Sequence, residues 1–353
     1  MPRVGVIELR TDVRPFDVGP GEVRIAMRAM GICHSDVHTL HGVSSKPTPI
    51  VLGHEGAGQI VEIGPNVEHL NVGDHVVVSQ SCPCYRCYKC QHGQPYLCTV
   101  YKTPSTNARR FWMGETPIFG NAGKGTFAEE IVVPATGAVK VADDVPFEIA
   151  ALFSCGIITG VGAILNTAAV VPGSSVAVIG CGGVGISAIQ GAKIIGAGMI
   201  VAVDPVPAKR EMALQFGATH TAAPEELASL ASQILPDDGF DYVFDIVGTP
   251  TTTRSAWDLA RPGGTAVIVG VASGGPSASF SSQELTHNDK RLLGSRVGSQ
   301  NPQLDTDRLV AFWRTGRLDV AGMISRRLTF DDLPHGIEAL EHAEDLIRQV
   351  VTF

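Results

Sequence analysis

The feature that most constrains the fold of this chain is a glycine-rich turn between a strand-like and a helix-like segment. Residues 180–185 read GCGGVG and directly follow the apolar run VAVI. In such a turn the first glycine allows a tight bend, the second lets a phosphate approach the backbone, and the third allows close helix–strand packing. The positive end of the helix dipole then faces the phosphates. The pattern therefore predicts a dinucleotide site formed by Gly180, Gly182, Gly183, Val184 and Gly185.

Strands and helices are predicted to alternate around this turn. Strands are expected at 176–179, 199–203, 241–247 and 265–271, and helices from 184, at 207–216 and at 251–260. Alternation at this spacing indicates βαβ units and a parallel sheet.

An acidic residue, Asp204, ends the strand that follows the turn. A carboxylate at this position accepts hydrogen bonds from ribose hydroxyls and disfavours a 2′-phosphate, so the sequence predicts NAD rather than NADP. Lys209 is a further candidate for the same ribose. The plainer alternatives are a helix-capping role for Asp204 and a solvated helix position for Lys209.

The N-terminal half has a different pattern. Short alternating runs at 22–29, 59–64 and 75–79 are separated by Gly, Pro and Asn, which indicates a partly open β-barrel. Because 353 residues exceed the size at which one hydrophobic core stops growing, two domains are expected.

Four cysteines follow one another at gaps of two, two and seven residues: Cys84, Cys87, Cys90 and Cys98. Thiolates are soft ligands that suit zinc, and a set of four leaves no open position, so the run predicts a structural zinc site. Disulfides are the alternative. The N-terminal run MPRVGVIELR carries charges and no apolar signal region, so we expect a cytoplasmic, thiol-reducing location that favours metal binding.

Composition argues against two other classes of function. The net charge of −8 disfavours nonspecific nucleic-acid binding, which depends on a basic surface. Residues 149–192 carry no Asp, Glu, Lys or Arg, and their length raises the possibility of a membrane span. However, Asn166 and Thr167 interrupt the stretch and a Pro-Gly turn follows, so a buried helix leading into a central strand is expected.

Three further segments carry potential metal ligands. Cys33 lies in GICHSDVH, His54 and Glu55 lie in GHEGAG, and Cys155 lies in SCGIITG. Taken singly, such residues more often pack in a core than bind metal. Together with the cysteine run, the glycine-rich turn and the C-terminal IRQVVTF, they resemble the zinc-dependent medium-chain alcohol dehydrogenases over essentially the whole chain.

This resemblance implies an α/β fold with two domains. The catalytic domain would be a GroES-like, partly open β-barrel formed by residues 1–156 and 299–353. The NAD-binding domain would be a Rossmann doubly wound parallel sheet formed by residues 157–298.

The resemblance also implies roles for individual residues. Cys33, His54 and Cys155 would bind a catalytic zinc, with Glu55 nearby and a fourth position open for substrate. Asp36 would orient His54. Further implied roles are a proton relay through Ser35 and His38, pyrophosphate contacts from His34 and Arg348, and nicotinamide contacts from Thr159, Val269 and Val271.

The implied activity is reversible hydride transfer between NAD and a small alcohol or its aldehyde or ketone, in a chain with two zinc ions. The family also implies a homodimer or homotetramer, and neither nucleic acid nor membrane is expected as a partner. A thiol-adduct formaldehyde dehydrogenase of the same family is the alternative, which an anion-binding pocket would favour; Arg109 and Arg110 are the local hint. A non-catalytic zinc-binding interaction protein is disfavoured, because it would need neither the second ligand set nor the glycine-rich turn.

Two departures from the family pattern bear on the substrate. Gln80 stands at a pocket position that is aromatic in ethanol-oxidising relatives, which suggests a roomier or partly polar pocket. The segment 101–125 has no clear counterpart, and we expect it to shape the substrate entrance.

Overall fold

The chain forms two compact units. The computed structural model describes residues 1–100, 108–235, 239–271, 277–342 and 346–353. The first unit comprises Met1–Cys155, Asn301–Ala311 and Val320–Phe353, and the second comprises Gly156–Gln300 and Phe312–Asp319. The predicted domain boundaries assign residues 312–319 to the first unit. In the structure Gln190 exchanges two hydrogen bonds with the backbone of Asp319, which holds this segment within the second unit.

The first unit is built on two sheets. Numbered along the whole chain, its strands are β1 (Val13–Pro15), β2 (Glu22–Ile32), β3 (Ile50–Val51), β4 (Ala57–Ile63), β5 (His75–Val78), β6 (Arg109–Met113), β7 (Thr116–Gly120), β8 (Glu130–Pro134), β9 (Ala138–Lys140), β16 (Ile324–Thr329) and β17 (Arg348–Thr352). Over the described residues, the larger sheet has the order β16-β17-β2-β4-β5-β9 with β8 paired to β2, and the smaller has the order β1-β6-β7-β3. Its helices are α1 (His34–Leu40), α2 (Tyr88–Gln91), α3 (Phe147–Phe153) and α11 (Leu333–His342).

Alternation along β2 explains how this unit buries its core. Val23, Ile25 and Met27 point inward and are almost fully buried. Between them Arg24 stays accessible and donates to Glu62 on the neighbouring strand at 2.8 Å. The period of two therefore places one face of the strand in the hydrophobic core.

The second unit contains a six-stranded sheet in which every described pairing is parallel. Its strands are β10 (Ser175–Ile179), β11 (Met199–Val203), β12 (His220–Ala222), β13 (Phe240–Asp245), β14 (Ala260–Ile268) and β15 (Arg291–Gly294), in the order β12-β11-β10-β13-β14-β15. Its helices are α4 (Gly156–Gly162), α5 (Gly183–Ile195), α6 (Pro207–Phe216), α7 (Leu227–Ile234), α8 (Pro250–Leu259) and α9 (Ser282–Asn288), while α10 (Pro302–Arg314) contributes to both units. The predicted βαβ arrangement is confirmed.

Most predicted elements of this unit lie within a few residues of the observed ones. β11 and α6 have the predicted bounds, and α6 ends where Gly217 adopts a φ of +118°. The strand predicted at 265–271 ends at Ile268, so Val269 and Val271 lie beyond it rather than at its end. The Val269 N–H makes the last bond of the ladder, to the Asp245 carbonyl. The ladder ends there because the next N–H, that of Gly270, turns back to the same oxygen, and Val271 is 78 % exposed.

The charge-free stretch forms helices of the protein core. Ile149, Leu152 and Ile158 are buried in the fold. Over the described residues, no single helix is long and apolar enough to cross a membrane, and only the bent pair Phe147–Phe153 and Gly156–Thr167 passes by length and composition when taken together.

Candidate active site and metal centres

The four clustered cysteines form one compact sulfur site. The Sγ atoms of Cys84, Cys87, Cys90 and Cys98 all lie within 4.8 Å of one another, and none is in a disulfide. Cys87 Sγ lies 3.5 Å from Cys90 Sγ and 3.9 Å from Cys98 Sγ. A tetrahedron with Zn–S bonds of about 2.3 Å has edges of about 3.8 Å, so the spacing fits zinc.

Backbone donors prepare this site for thiolates. The N–H of Cys84 points at Cys98 Sγ and the N–H of Cys87 at Cys84 Sγ, both at 3.3 Å. Backbone hydrogen bonds from Cys90 and Thr99 lower the pKa of Cys87 to about 5. Donors that favour the charged form favour the metal ligand.

A second cluster gathers Cys33, His54, Glu55 and Cys155, whose ligand atoms also lie within 4.8 Å of one another. Cys33 follows β2 as the N-cap of α1, the His54–Glu55 pair precedes β4, and Cys155 follows α3. The structure therefore brings together all four residues that the sequence proposed for the catalytic metal.

Asp36 orients His54, as predicted. Its Oδ1 lies 2.9 Å from His54 Nδ1 and also accepts from the N–H of Gly53 at 3.2 Å. Asn121 Nδ2 donates to the same oxygen at 3.0 Å, and the Cys33 N–H donates to Oδ2 at 3.3 Å. Asn121 escaped the sequence analysis, because nothing local links it to a residue so far away in the chain.

The remaining nitrogen of His54 is free to bind a metal. With Nδ1 engaged by Asp36, the buried Nε2 has no hydrogen-bond partner in the described residues. Two sulfurs and one imidazole nitrogen form a donor set that suits zinc and leaves a position for substrate. The residues thus fit a catalytic zinc ion.

The pKa values of the residues in this cluster shift in different directions. Burial alone would lower the pKa of His54, but Asp36 and Cys33 raise it well above its ordinary value. A hydrogen bond with Cys155 holds the pKa of Cys33 well below its ordinary value. The same bond and burial raise the pKa of Cys155.

Glu55 forms a buried ion pair with Arg348, and both side chains are at most 5 % exposed. Burial raises the pKa of Glu55 to about 7, although Arg348 opposes the shift. A Cβ at Gly31 would overlap Glu55 Oε2, so a larger residue there would displace this carboxylate. The predicted pyrophosphate contact of Arg348 stays a prediction.

The residues of the predicted proton relay lie at the start of α1. Ser35 is exposed, with its Oγ 3.7 Å from Cys33 Sγ, and His38 is half-buried three residues later. Residues three apart share a helix face. His34, the predicted pyrophosphate contact, is exposed beside Ser35.

The glycine-rich turn has the geometry that its sequence predicts. It runs from β10 into α5, and Gly180 has a φ of +98°. A Cβ at Gly185 would overlap the Gly180 carbonyl oxygen, whereas a Cβ at Gly182 would have no neighbour within 4 Å. Gly180 therefore makes the tight turn, Gly182 leaves the open space and Gly185 packs closely, as the sequence predicts.

Asp204 is held against this turn. Its Oδ2 accepts from the Cys181 N–H and its Oδ1 from the Val206 N–H, both at 2.9 Å. Arg210 Nη1 donates to the Asp204 carbonyl at 2.7 Å, a contact that the sequence analysis missed, and Lys209 is half-buried. Thr159, a predicted nicotinamide contact, lies in α4.

Comparison with known proteins decides the family. The family model of the alcohol dehydrogenase GroES-like domain matches residues 19–143, and that of the zinc-binding dehydrogenases matches residues 183–312. The chain belongs to the zinc-dependent medium-chain dehydrogenases. The predicted family and fold class are thereby confirmed.

Individual members of this family resemble the chain over nearly its full length. S-(hydroxymethyl)glutathione dehydrogenase of Paracoccus denitrificans is 35% identical over 350 residues, covering 94% of this chain and 93% of that protein. The crystal structure of benzyl alcohol dehydrogenase from Acinetobacter calcoaceticus superimposes with a TM-score of 0.90 at 29% identity, covering 97% and 94% of the two chains. A zinc-binding dehydrogenase from Sinorhizobium meliloti, solved with NADP, has a TM-score of 0.82 at 27% identity and covers 100% and 97%.

Residues 101–125 have no clear counterpart in the dehydrogenase family, and most of their described part is a β-hairpin. Residues 109–120 form β6 and β7, while residues 101–107 lie outside the described part. Arg110 donates to Glu22 at 2.6 Å, and the Arg109 guanidinium lies 5.4 Å from the Phe119 ring centroid. Arg110 is therefore neutralised by a partner within the fold.

Gln80 contacts the backbone of the segment that carries His54. Its Nε2 donates to the His54 carbonyl at 2.5 Å. The side chain is half-buried, and its amide supports the backbone of a metal ligand.

Proposed function

We propose that this chain is an NAD-dependent, zinc-dependent alcohol dehydrogenase that transfers hydride reversibly between NAD and a small alcohol, aldehyde or ketone. The observation that carries the proposal is the buried cluster of Cys33, His54 and Cys155, in which His54 Nε2 has no hydrogen-bond partner among the residues that the structure describes. The glycine-rich turn of the second unit adds a dinucleotide site to the same chain.

The residues of the chain have separate tasks in this reaction. Bound zinc supplies Lewis acidity to an alcohol oxygen, and NAD supplies the hydride acceptor. Asp36 keeps the proton of His54 on Nδ1, so that Nε2 faces the cluster. Ser35 would accept the hydroxyl proton of the alcohol and release its own proton towards His38 and solvent.

We propose NAD rather than NADP as the cofactor, and Asp204 supports this choice. Its carboxylate lies at the edge of the turn, where it would accept from ribose hydroxyls and repel a 2′-phosphate. Comparing kcat/KM with the two cofactors tests the assignment. A preference for NADP would show that Asp204 does not select the cofactor.

The second candidate is the oxidation of an S-hydroxymethyl thiol adduct, the activity named for the Paracoccus relative. Such adducts carry charged groups that need an anion-binding pocket. The pairing of Arg110 with Glu22 removes one of the two cations proposed for that pocket, which favours the uncharged alcohol.

The test combines metal analysis with a substrate panel. We expect two zinc ions per chain, and one in a Cys155→Ser variant that has lost activity. Primary, aromatic and secondary alcohols should then be compared with S-hydroxymethyl thiol adducts under NAD. One zinc ion per native chain would overturn the catalytic site, and activity confined to thiol adducts would select the second candidate.

We further propose a cytoplasmic homodimer or homotetramer. Support for the location comes from the eight cysteines, none of which forms a disulfide, as is usual in a reducing compartment. Light scattering after size-exclusion chromatography tests the assembly, and a monomeric mass would refute it.

A further inference from the structure

Lys124 is a buried lysine that the proposed reaction does not use. It is only 1 % exposed, although lysine is almost never fully buried without partners. Its Nζ donates to the Gln80 carbonyl at 3.3 Å and to the Ala122 carbonyl at 3.1 Å. Burial lowers the pKa of the ammonium group.

The two carbonyl partners belong to the two segments that hold His54. On one side, Gln80 donates its side-chain amide to the His54 carbonyl at 2.5 Å. On the other side, Asn121 donates to Asp36 Oδ1, which lies 2.9 Å from His54 Nδ1. One ammonium group therefore connects the support of the His54 backbone with the support of its ring.

The loop that carries Lys124 is held in an unusual conformation. Ala122 has a φ of +51°, which a residue other than glycine adopts only where surrounding contacts hold it. The bond from Lys124 Nζ to the Ala122 carbonyl is one such contact. Beyond the loop, the N–H of Thr126 donates to the Gly53 carbonyl at 3.1 Å, so the segment that carries Lys124 also contacts the residue before His54.

We propose that Lys124 is a positioning residue for the catalytic metal site, which fixes His54 through Gln80 and through the Asn121–Asp36 pair. The inference rests on the proposed function only in that His54 is taken to bind zinc. A lysine that merely filled space would affect folding but would not act selectively on this metal site.

The test measures zinc release to a chelator, site by site. Cys155→Ser first identifies the kinetic phase that belongs to the catalytic site. Lys124→Met keeps the length of the side chain but removes its charge and donors. It should speed this phase by about tenfold or more, because loss of the partners that support ligand histidines lowers metal affinity by about 10- to 100-fold. Release from the four-cysteine site should not change.

A matched control is available on the surface of the same unit. Lys140 pairs with Asp74 at 2.6 Å and its side chain is 50 % exposed. Lys140→Met should leave both release phases within about twofold of the native rates, because an exposed pair contributes little. With cobalt in the catalytic site, the visible absorption bands should shift in Lys124→Met and not in Lys140→Met.

A double-mutant cycle tests the route of the effect. If Lys124 acts through Gln80, then Lys124→Met should accelerate release less in a Gln80→Met background than in the native chain. Should Lys124→Met fail to fold, Lys124→Gln replaces it throughout. The shorter amide cannot span both carbonyls, so a clear acceleration of the catalytic phase is still expected.

Two results would overturn the proposal: a catalytic phase unchanged within twofold, or equal acceleration of both sites. Full additivity with Gln80→Met would refute the route through Gln80. Because zinc release is read without substrate, failure of the dehydrogenase assay leaves this result standing. Conversely, an active enzyme with unchanged release in Lys124→Met refutes the positioning role alone.

Discussion

Replacing Gly182 by alanine should separate nucleotide binding from folding. Gly182 is the N-cap of α5, with φ −76° and ψ −169°, a conformation open to any residue. A Cβ there meets no atom within 4 Å. The loss of chain entropy in the unfolded state stabilises such a variant by about 0.4–1 kcal/mol, and the poorer cap costs a similar amount, roughly 0.5–1 kcal/mol. The free energy of unfolding should therefore change by less than about 1 kcal/mol.

Cofactor affinity should respond much more strongly. The methyl group would fill the open space that the second glycine of the turn leaves for a pyrophosphate. Losing one hydrogen bond to a charged group costs about 1.5–3 kcal/mol. At about 1.4 kcal/mol per tenfold, the dissociation constant for NAD should rise by roughly one to two orders of magnitude.

Titration of NAD by calorimetry and thermal unfolding should be measured together, with two control variants. In Gly185→Ala the new Cβ overlaps the Gly180 carbonyl oxygen, so both stability and binding should fall. In Gly294→Ala, which meets no atom within 4 Å on β15, neither should change beyond about 1 kcal/mol. If Gly182→Ala binds NAD within twofold of the native protein, the assignment of the open glycine to the phosphates is wrong.

Three further predictions concern single side chains. Asp36→Asn should weaken zinc binding at the catalytic site by about 10- to 100-fold in a chelator competition, because the ring of His54 loses its anionic partner. Zinc binding to a chain that lacks only the catalytic ion should release about two protons near neutral pH, from His54 and Cys155, whose pKa values are raised; calorimetry in buffers of different ionisation enthalpy counts them. Burial alone would raise the pKa of Asp241, but hydrogen bonds led by those of Ser175 lower it overall. The ionised carboxylate therefore stabilises the folded state fully above the unfolded pKa of about 4, and this contribution is lost as the pH falls through the lower folded pKa. Asp241→Asn should thus lower the free energy of unfolding by about 1–2 kcal/mol at pH 7 and by less below pH ~4 in urea titrations.

The glycine-rich turn was predictable because its chemistry is local. Gly180 turns the chain directly after β10, Gly185 packs against the Gly180 carbonyl oxygen five residues earlier, and the flanking strand and helix follow from periodicity. The ends of strands were less predictable. β14 stops at Ile268 because the N–H groups of Val269 and Gly270 both donate to one carbonyl, that of Asp245 on β13, a bend that the apolar run 265–271 does not reveal.

The metal ligands and the residues that hold them also differ in how far the sequence predicts them. The four-cysteine set is recognisable from residue type and spacing, whereas the second ligand set followed from the resemblance to the family. The partners of Glu55 and Asp36 come from elsewhere: Arg348 is 293 residues away from Glu55, and Asn121 is 85 residues away from Asp36. Only the topology of the first unit brings them together.

Physical chemistry still narrows the choice of such partners. A buried carboxylate must be paired or hydrogen-bonded, so Asp36 between two ligand segments had to find donors from other parts of the chain. The same rule required carbonyl or charged partners for Lys124 once it was buried, and it receives two carbonyls. The sequence therefore determines that these groups need partners, whereas the fold determines which ones. For that reason the least predictable residues of the site, Asn121 and Lys124, are those that join its separate segments.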